Sequence, residues 1–73
     1  MERNKFLISL GSQIRIIRKQ KKLTQQSLSD ICEIEKANLS RIESGITNPT
    51  VLTLFKMSKA LNVGITDFFN GSA

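Results

Sequence analysis

The chain has 73 residues, 11 Lys+Arg against 6 Asp+Glu, a net charge of +5 and 40% hydrophobic residues, enough for a small folded core. It contains one Cys and no His, Trp or Tyr. That excludes a Cys/His zinc site, a disulfide framework within the chain, and any Ser–His or Cys–His catalytic pair.

Phe6, Leu10, Ile14 and Ile17 recur at helical spacing and predict a first amphipathic helix from about Asn4 to Gln20. The basic run Lys19-Gln20-Lys21-Lys22 suits its C-terminus, where positive charge meets the negative end of the helix dipole. Thr24 is a good N-cap for a short second helix, Gln25 to Ile31, with Leu28 and Cys32 facing inward. A third helix is expected from about Glu35 to Ser44, with Leu39 and Ile42 inward and Gly45 as a left-handed stop. Pro49 makes Thr47-Asn48-Pro49 a loop. Thr50 then caps a fourth helix to Leu61, with Val51, Leu54, Met57 and Leu61 on one face. A last short helix runs from Ile65 to Phe69, with Asp67 near its positive end. No segment alternates with period two long enough to be a strand. The expectation is an all-α, five-helix domain over residues 1–70, with 71–73 a disordered tail.

Charge is concentrated at one end. Residues 1–23 carry +6, while residues 24–54 carry −2. A basic block of this kind attracts phosphates, although a solvated helix face has the same composition. The start, Met1-Glu2-Arg3-Asn4-Lys5, is charged, and the apolar run Phe6–Ile8 is too short for a signal peptide or a membrane span. The expectation is a cytoplasmic protein without membrane attachment, in keeping with the lone Cys32.

Residues 25–44 read as two short helices joined by the turn Cys32-Glu33-Ile34, with Leu28, Cys32, Ile34, Leu39 and Ile42 inward and the small Ser29 at the crossing. The outward face of the second is Lys36, Ala37, Ser40, Arg41 and Ser44. Small residues allow the backbone to approach a major groove, and Lys or Arg can donate to base acceptors or phosphates.

In order and spacing, the chain resembles the phage-repressor and Cro-like helix-turn-helix family of Xre-type regulators, with a lambda-repressor-like fold. The residues that carry the resemblance are Leu10-Gly11-x-x-Ile14-Arg15-x-x-Arg18, Leu23-Thr24-Gln25-Gln26-x-Leu28 and Leu39-Ser40-Arg41-Ile42-Glu43-x-Gly45, followed by Pro49-Thr50-x-x-Thr53-Leu54 and Lys59-Ala60-Leu61-Asn62-Val63. The resemblance implies base reading by Lys36, Ala37 and Arg41, with Asn38 and Ser40 touching bases or phosphates. It places Thr24, Gln25, Thr47 and Asn48 against phosphates. It makes Arg18 and Glu43 a partly buried salt bridge, the rival role for Arg18 being a phosphate contact. Three departures stand out: Glu33 where the family's turn usually has Gly, Glu35 where the reading helix usually has a Ser or Thr cap, and Leu52 at a commonly charged surface position.

The implied function is sequence-specific transcriptional regulation, as a phage-type repressor or a restriction-modification controller. It requires no cofactor, no metal and no catalytic residue. The implied partner is double-stranded DNA, a palindromic operator bound by a homodimer. Leu52, Phe55, Ile65, Phe68 and Phe69 are too many apolar residues for so small a core and are the candidate dimer surface. The alternative is that Phe55 and Phe69 fold back to complete the monomer. The alternative function is an antitoxin or adaptor of the same fold that acts on a protein partner such as a toxin. Asp30, Glu33 and Glu35 lack the partners an enzyme would need, and Cys32 reads as a small buried hydrophobe.

Overall fold

Residues 4–69 are described by a computed structural model of the chain. The charged start up to Arg3 and the expected tail at 71–73 lie outside them. Four α-helices follow in order: α1 (Lys5–Gln20), α2 (Gln25–Cys32), α3 (Lys36–Ser44) and α4 (Val51–Leu61). The fifth expected helix is a single 3-10 turn, Ile65–Phe68. Among the described residues there is no strand, and no helix is long and apolar enough to cross a membrane.

Local chemistry sets the helix boundaries. The side chains of Asn4, Thr24 and Thr50 accept the backbone N–H groups of Leu7, Ser27 and Thr53, three residues on. Asn4, expected inside α1, is therefore its cap, with extended backbone.

All four helices stop in the same way. Lys22, Glu33, Gly45 and Asn62 adopt positive φ. Each donates its N–H three residues back, and the apolar residue after it (Leu23, Ile34, Ile46 or Val63) donates five residues back. This double closure satisfies carbonyls at the helix end. Glu33 sits at φ 59°, so the departure from Gly leaves a side chain in a region that costs about 1 kcal/mol. Cys32 joins α2, and the turn is accordingly Glu33–Glu35 rather than Cys32–Ile34.

The core gathers one stripe from every element: Leu10, Ile14 and Ile17 of α1, Leu28 and Cys32 of α2, Leu39 and Ile42 of α3, Leu54, Met57 and Leu61 of α4, and Phe68. Ile34 packs at its edge, half-buried. Two expected core positions are instead on the surface. Val51 is 75% exposed: in the first turn of α4 the inward position is taken by Leu54, and Thr50, Val51 and Leu52 are exposed. Phe6, 54% exposed, lies beyond the reach of the core and stacks on Phe69 with ring centroids 5.9 Å apart. Ser29, at the expected helix crossing, is fully buried and donates to the Gln26 carbonyl at 2.9 Å.

α1 and α3 touch through their backbones. A Cβ on Gly11 would collide with the Ile42 carbonyl oxygen and lie 2.7 Å from that of Glu43. Only glycine allows this approach. It brings the two helices close enough for the ion pair described below.

Candidate nucleic-acid interface

α3 is held from behind and left open in front. Its inner residues Leu39, Ile42 and Glu43 are buried, while Lys36, Ala37 and Arg41 are exposed and Asn38 and Ser40 half-buried. Lys36 and Arg41 make no hydrogen bond or ion pair within the described residues. Their donors are available to whatever meets this face. Asn38 sits to the side of it, between the outward residues and the core.

The buried attachment is ionic. Arg18 of α1 and Glu43 of α3 form a two-pronged pair: Nε donates to Oε2 at 2.6 Å and an Nη to Oε1 at 3.1 Å. The side chains are only 8% and 3% exposed. The other Nη of Arg18 donates to the Leu23 carbonyl at 2.7 Å, which fixes the α1–α2 turn. Gln25 adds the third element, donating its amide to Glu43 Oε1 at 3.0 Å. One carboxylate thus receives donors from α1 and from the first residue of α2, and no buried side-chain polar atom among the described residues lacks a partner. Buried charges are tolerated only when satisfied in this way. The pair expected from the sequence exists, and with it Arg18 is committed to the fold.

Around this frame the expected phosphate contacts fall into two groups. Thr24 and Gln25 lie at the head of α2, but both are already engaged. The Thr24 hydroxyl accepts from the Ser27 N–H and donates to the Ser27 hydroxyl at 2.9 Å. The Gln25 amide keeps one further N–H beyond the bond to Glu43. Thr47 and Asn48 lie in the loop after α3, half-buried and exposed respectively. Arg15, Lys19, Lys21 and Lys22 are exposed along α1 and its turn into α2. Cation-rich surface therefore precedes the head of α2.

The expected apolar dimer surface comes apart in the structure. Phe68 is 1% exposed and belongs to the core, and Ile65 packs half-buried against it. Residues three apart eclipse in a 3-10 turn, so the two point inward together. Phe69 stacks on Phe6 of α1, 37% exposed. Leu52 and Phe55 remain exposed on α4 at 62% and 48%. Phe55 also lines a shallow groove of about 350 Å³ with Ile31, Cys32 and Lys59. Neither Phe55 nor Phe69 folds back into the interior.

A family profile described as "Helix-turn-helix" matches residues 14–68. The chain belongs to this helix-turn-helix family. Its relatives include the immunity repressor protein of Bacillus phage phi105, 32% identical over 81% of this chain and 41% of the repressor. A helix-turn-helix-type transcriptional regulator from Sinorhizobium fredii is 37% identical over 74% of this chain and 70% of its own length. The competence pilus inhibition repressor of Acinetobacter baylyi is 31% identical, and the match covers 56% of it. The chain thus spans about half the length of several relatives that it matches.

Solved helix-turn-helix structures agree. SinR, a master regulator for biofilm formation solved in complex with DNA, superposes with a TM-score of 0.78 at 31% identity, covering 84% of this chain and 98% of the chain in that structure. The restriction-modification controller protein C.AhdI from Aeromonas hydrophila gives 0.84 at 24% identity, covering 86% and 96%, a likeness of fold.

Two features of the helix-turn-helix frame were not foreseen from the sequence. Gly11 appears there only as one letter of a motif, and its contact partner is 31 residues away in sequence. Gln25 was expected against phosphate, whereas its amide completes the Glu43 carboxylate. The signal for the second was present: a buried acid with one cation still has lone pairs to satisfy.

Proposed function

We propose that this chain is a sequence-specific DNA-binding transcriptional regulator that reads the major groove with α3. The observation that carries the reading is the asymmetry of that helix. Its inner side is pinned by Leu39, Ile42 and the Arg18–Glu43–Gln25 cluster, and its outer side offers uncommitted Lys36 and Arg41 around small Ala37 and Ser40. A rigid helix with two free cations and small neighbours suits base edges flanked by phosphates. Thr47, Asn48 and the second N–H of Gln25 supply phosphate contacts on either side. The relatives named as repressors and the SinR complex with DNA support this reading.

The chain acts as a single non-enzymatic domain and binds a two-fold operator as a homodimer. One reading helix spans too few base pairs to mark a unique site, and paired half-sites one turn apart solve that. Val51, Leu52 and Phe55 form an exposed apolar strip on α4 available for the contact. The test is a titration of an operator-bearing duplex against salt, with sedimentation of protein alone and with duplex. Affinity should fall steeply as salt rises, as released counterions require, and the complex should hold two chains per duplex. Salt-insensitive binding would defeat the DNA reading, and one chain per duplex would defeat the dimer.

A further inference from the structure

The residue that opens α3 is chemically out of place. Asn4, Thr24 and Thr50 each cap their helix by accepting an N–H from the first turn, but Glu35, at the same position before α3, makes no such bond. Its backbone has ordinary cap geometry, φ −72° and ψ 143°. The carboxylate is exposed and makes no hydrogen bond or ion pair within the described residues, although Lys36 is adjacent. It stands at the head of the helix that carries Lys36, Ala37 and Arg41.

A free carboxylate on a surface that approaches phosphates is repelled. It gains only where it meets a donor. In the major groove the donors are the amino groups of cytosine and adenine. Adenine presents its amino group beside the N7 acceptor, which suits an amide and repels a carboxylate. Cytosine presents its amino group alone, and an ionised carboxylate only accepts. We propose that Glu35 determines operator specificity by accepting from a cytosine amino group beside the base met by Lys36. The inference rests on the DNA-reading role of α3. On other sequences the carboxylate faces phosphates with no donor to offset the repulsion, so it also lowers affinity for random DNA. Discrimination then comes from a repulsive group as well as an attractive one.

The experiment compares wild type, Glu35→Ala and Glu35→Gln by selection of bound sites from random duplexes. Affinity for an unselected duplex at fixed salt is measured alongside. Wild-type sites should hold a cytosine at one position of each half-site, and its replacement should weaken binding about 5- to 150-fold. Glu35→Ala should lose that preference alone and bind unselected DNA several-fold more tightly. Glu35→Gln should shift the preference toward adenine. The Glu35 carboxylate makes no hydrogen bond or ion pair among the described residues, so all three proteins should stay folded and melt within a few degrees of one another. The two neutral variants should melt slightly lower for losing a negative charge at the positive end of α3. Retention of the cytosine by Glu35→Ala, or tighter unselected binding with no change in selected sequence, would overturn the cytosine contact. A wild type that binds no duplex would overturn the DNA reading itself.

Discussion

The Arg18–Glu43 pair offers the sharpest test of what holds the reading helix in place. Replacing Glu43 by Leu removes both carboxylate bonds from Arg18 and leaves its guanidinium, buried between α1 and α3, with the Leu23 carbonyl alone. It also strips the Gln25 amide of its acceptor. Breaking one partner of a buried pair costs about 3–5 kcal/mol. A domain of this length has roughly 4–11 kcal/mol in total, so the variant should be close to unfolding. Arg18→Met should cost a similar amount, because the carboxylate then keeps only Gln25. The double variant replaces two charges with two apolar groups and should be more stable than the sum of the singles by about 0.5–3 kcal/mol. Glu43→Gln keeps one acceptor and gives a milder loss of about 1.5–3 kcal/mol, measurable if the others do not fold. Urea unfolding followed by helical circular dichroism supplies each value. Singles that add within about 0.5 kcal/mol, or a Glu43→Leu cost below about 1 kcal/mol, would refute the reasoning.

On the outer face, Lys36→Ala and Arg41→Ala should each weaken operator binding by about 1–3 kcal/mol with the melting temperature unchanged; gel shifts with wild-type affinity would remove α3 from the groove. Gly11→Ala should destabilise by about 2–3 kcal/mol despite its better helix propensity, since the new methyl meets carbonyl oxygens of α3; thermal unfolding decides the sign. Glu33→Gly should raise stability by about 0.5–1 kcal/mol by relieving the left-handed turn, less the entropy that glycine loses on folding. Burial pushes the Cys32 thiol above its ordinary value, with Lys56 opposing more weakly, so native alkylation should be slow and should accelerate when urea opens the fold. The sign for stability follows: between the ordinary and the raised value the folded chain keeps a proton that the unfolded chain releases. Cys32 therefore makes stability fall as pH rises through that window, and Cys32→Ser should flatten the fall.

Most helix positions were legible because they are written locally. Thr24 and Thr50 as caps, Gly45 as a stop, and the stripes of Leu10, Ile14, Leu28, Leu39 and Met57 need only neighbouring residues to be read. Periodicity says which side a residue occupies, not whether anything covers it. Phe6 and Val51 lie on the correct stripes but in first helical turns that stay largely exposed, Phe6 meeting the Phe69 ring at the surface rather than the core. The last segment failed for a related reason: in a 3-10 turn Ile65 and Phe68 face the same way, so residues expected on the surface point inward. At the site, the outward face of α3 could be read from spacing, and the Arg18–Glu43 pair followed from the family resemblance. The role of Gly11 could not be read, because its contact is distant in sequence and arises from the packing of α1 on α3. For Gln25 the lone pairs of a buried Glu43 were a signal, but which amide fills them is set by the packing of α2 on α3.

The repeated helix ending has a consequence for how such a protein can change. α3 begins after one left-handed turn at Glu33 and ends at another at Gly45, and neither closure uses a side chain from its outward face. Lys36, Ala37 and Arg41 therefore carry no duty to the fold. On the proposed DNA-reading role, substitutions there alter the target sequence while the scaffold stays as it is. A gene copy would then reach a new set of target sites through changes at these few codons, without passing through an unstable intermediate.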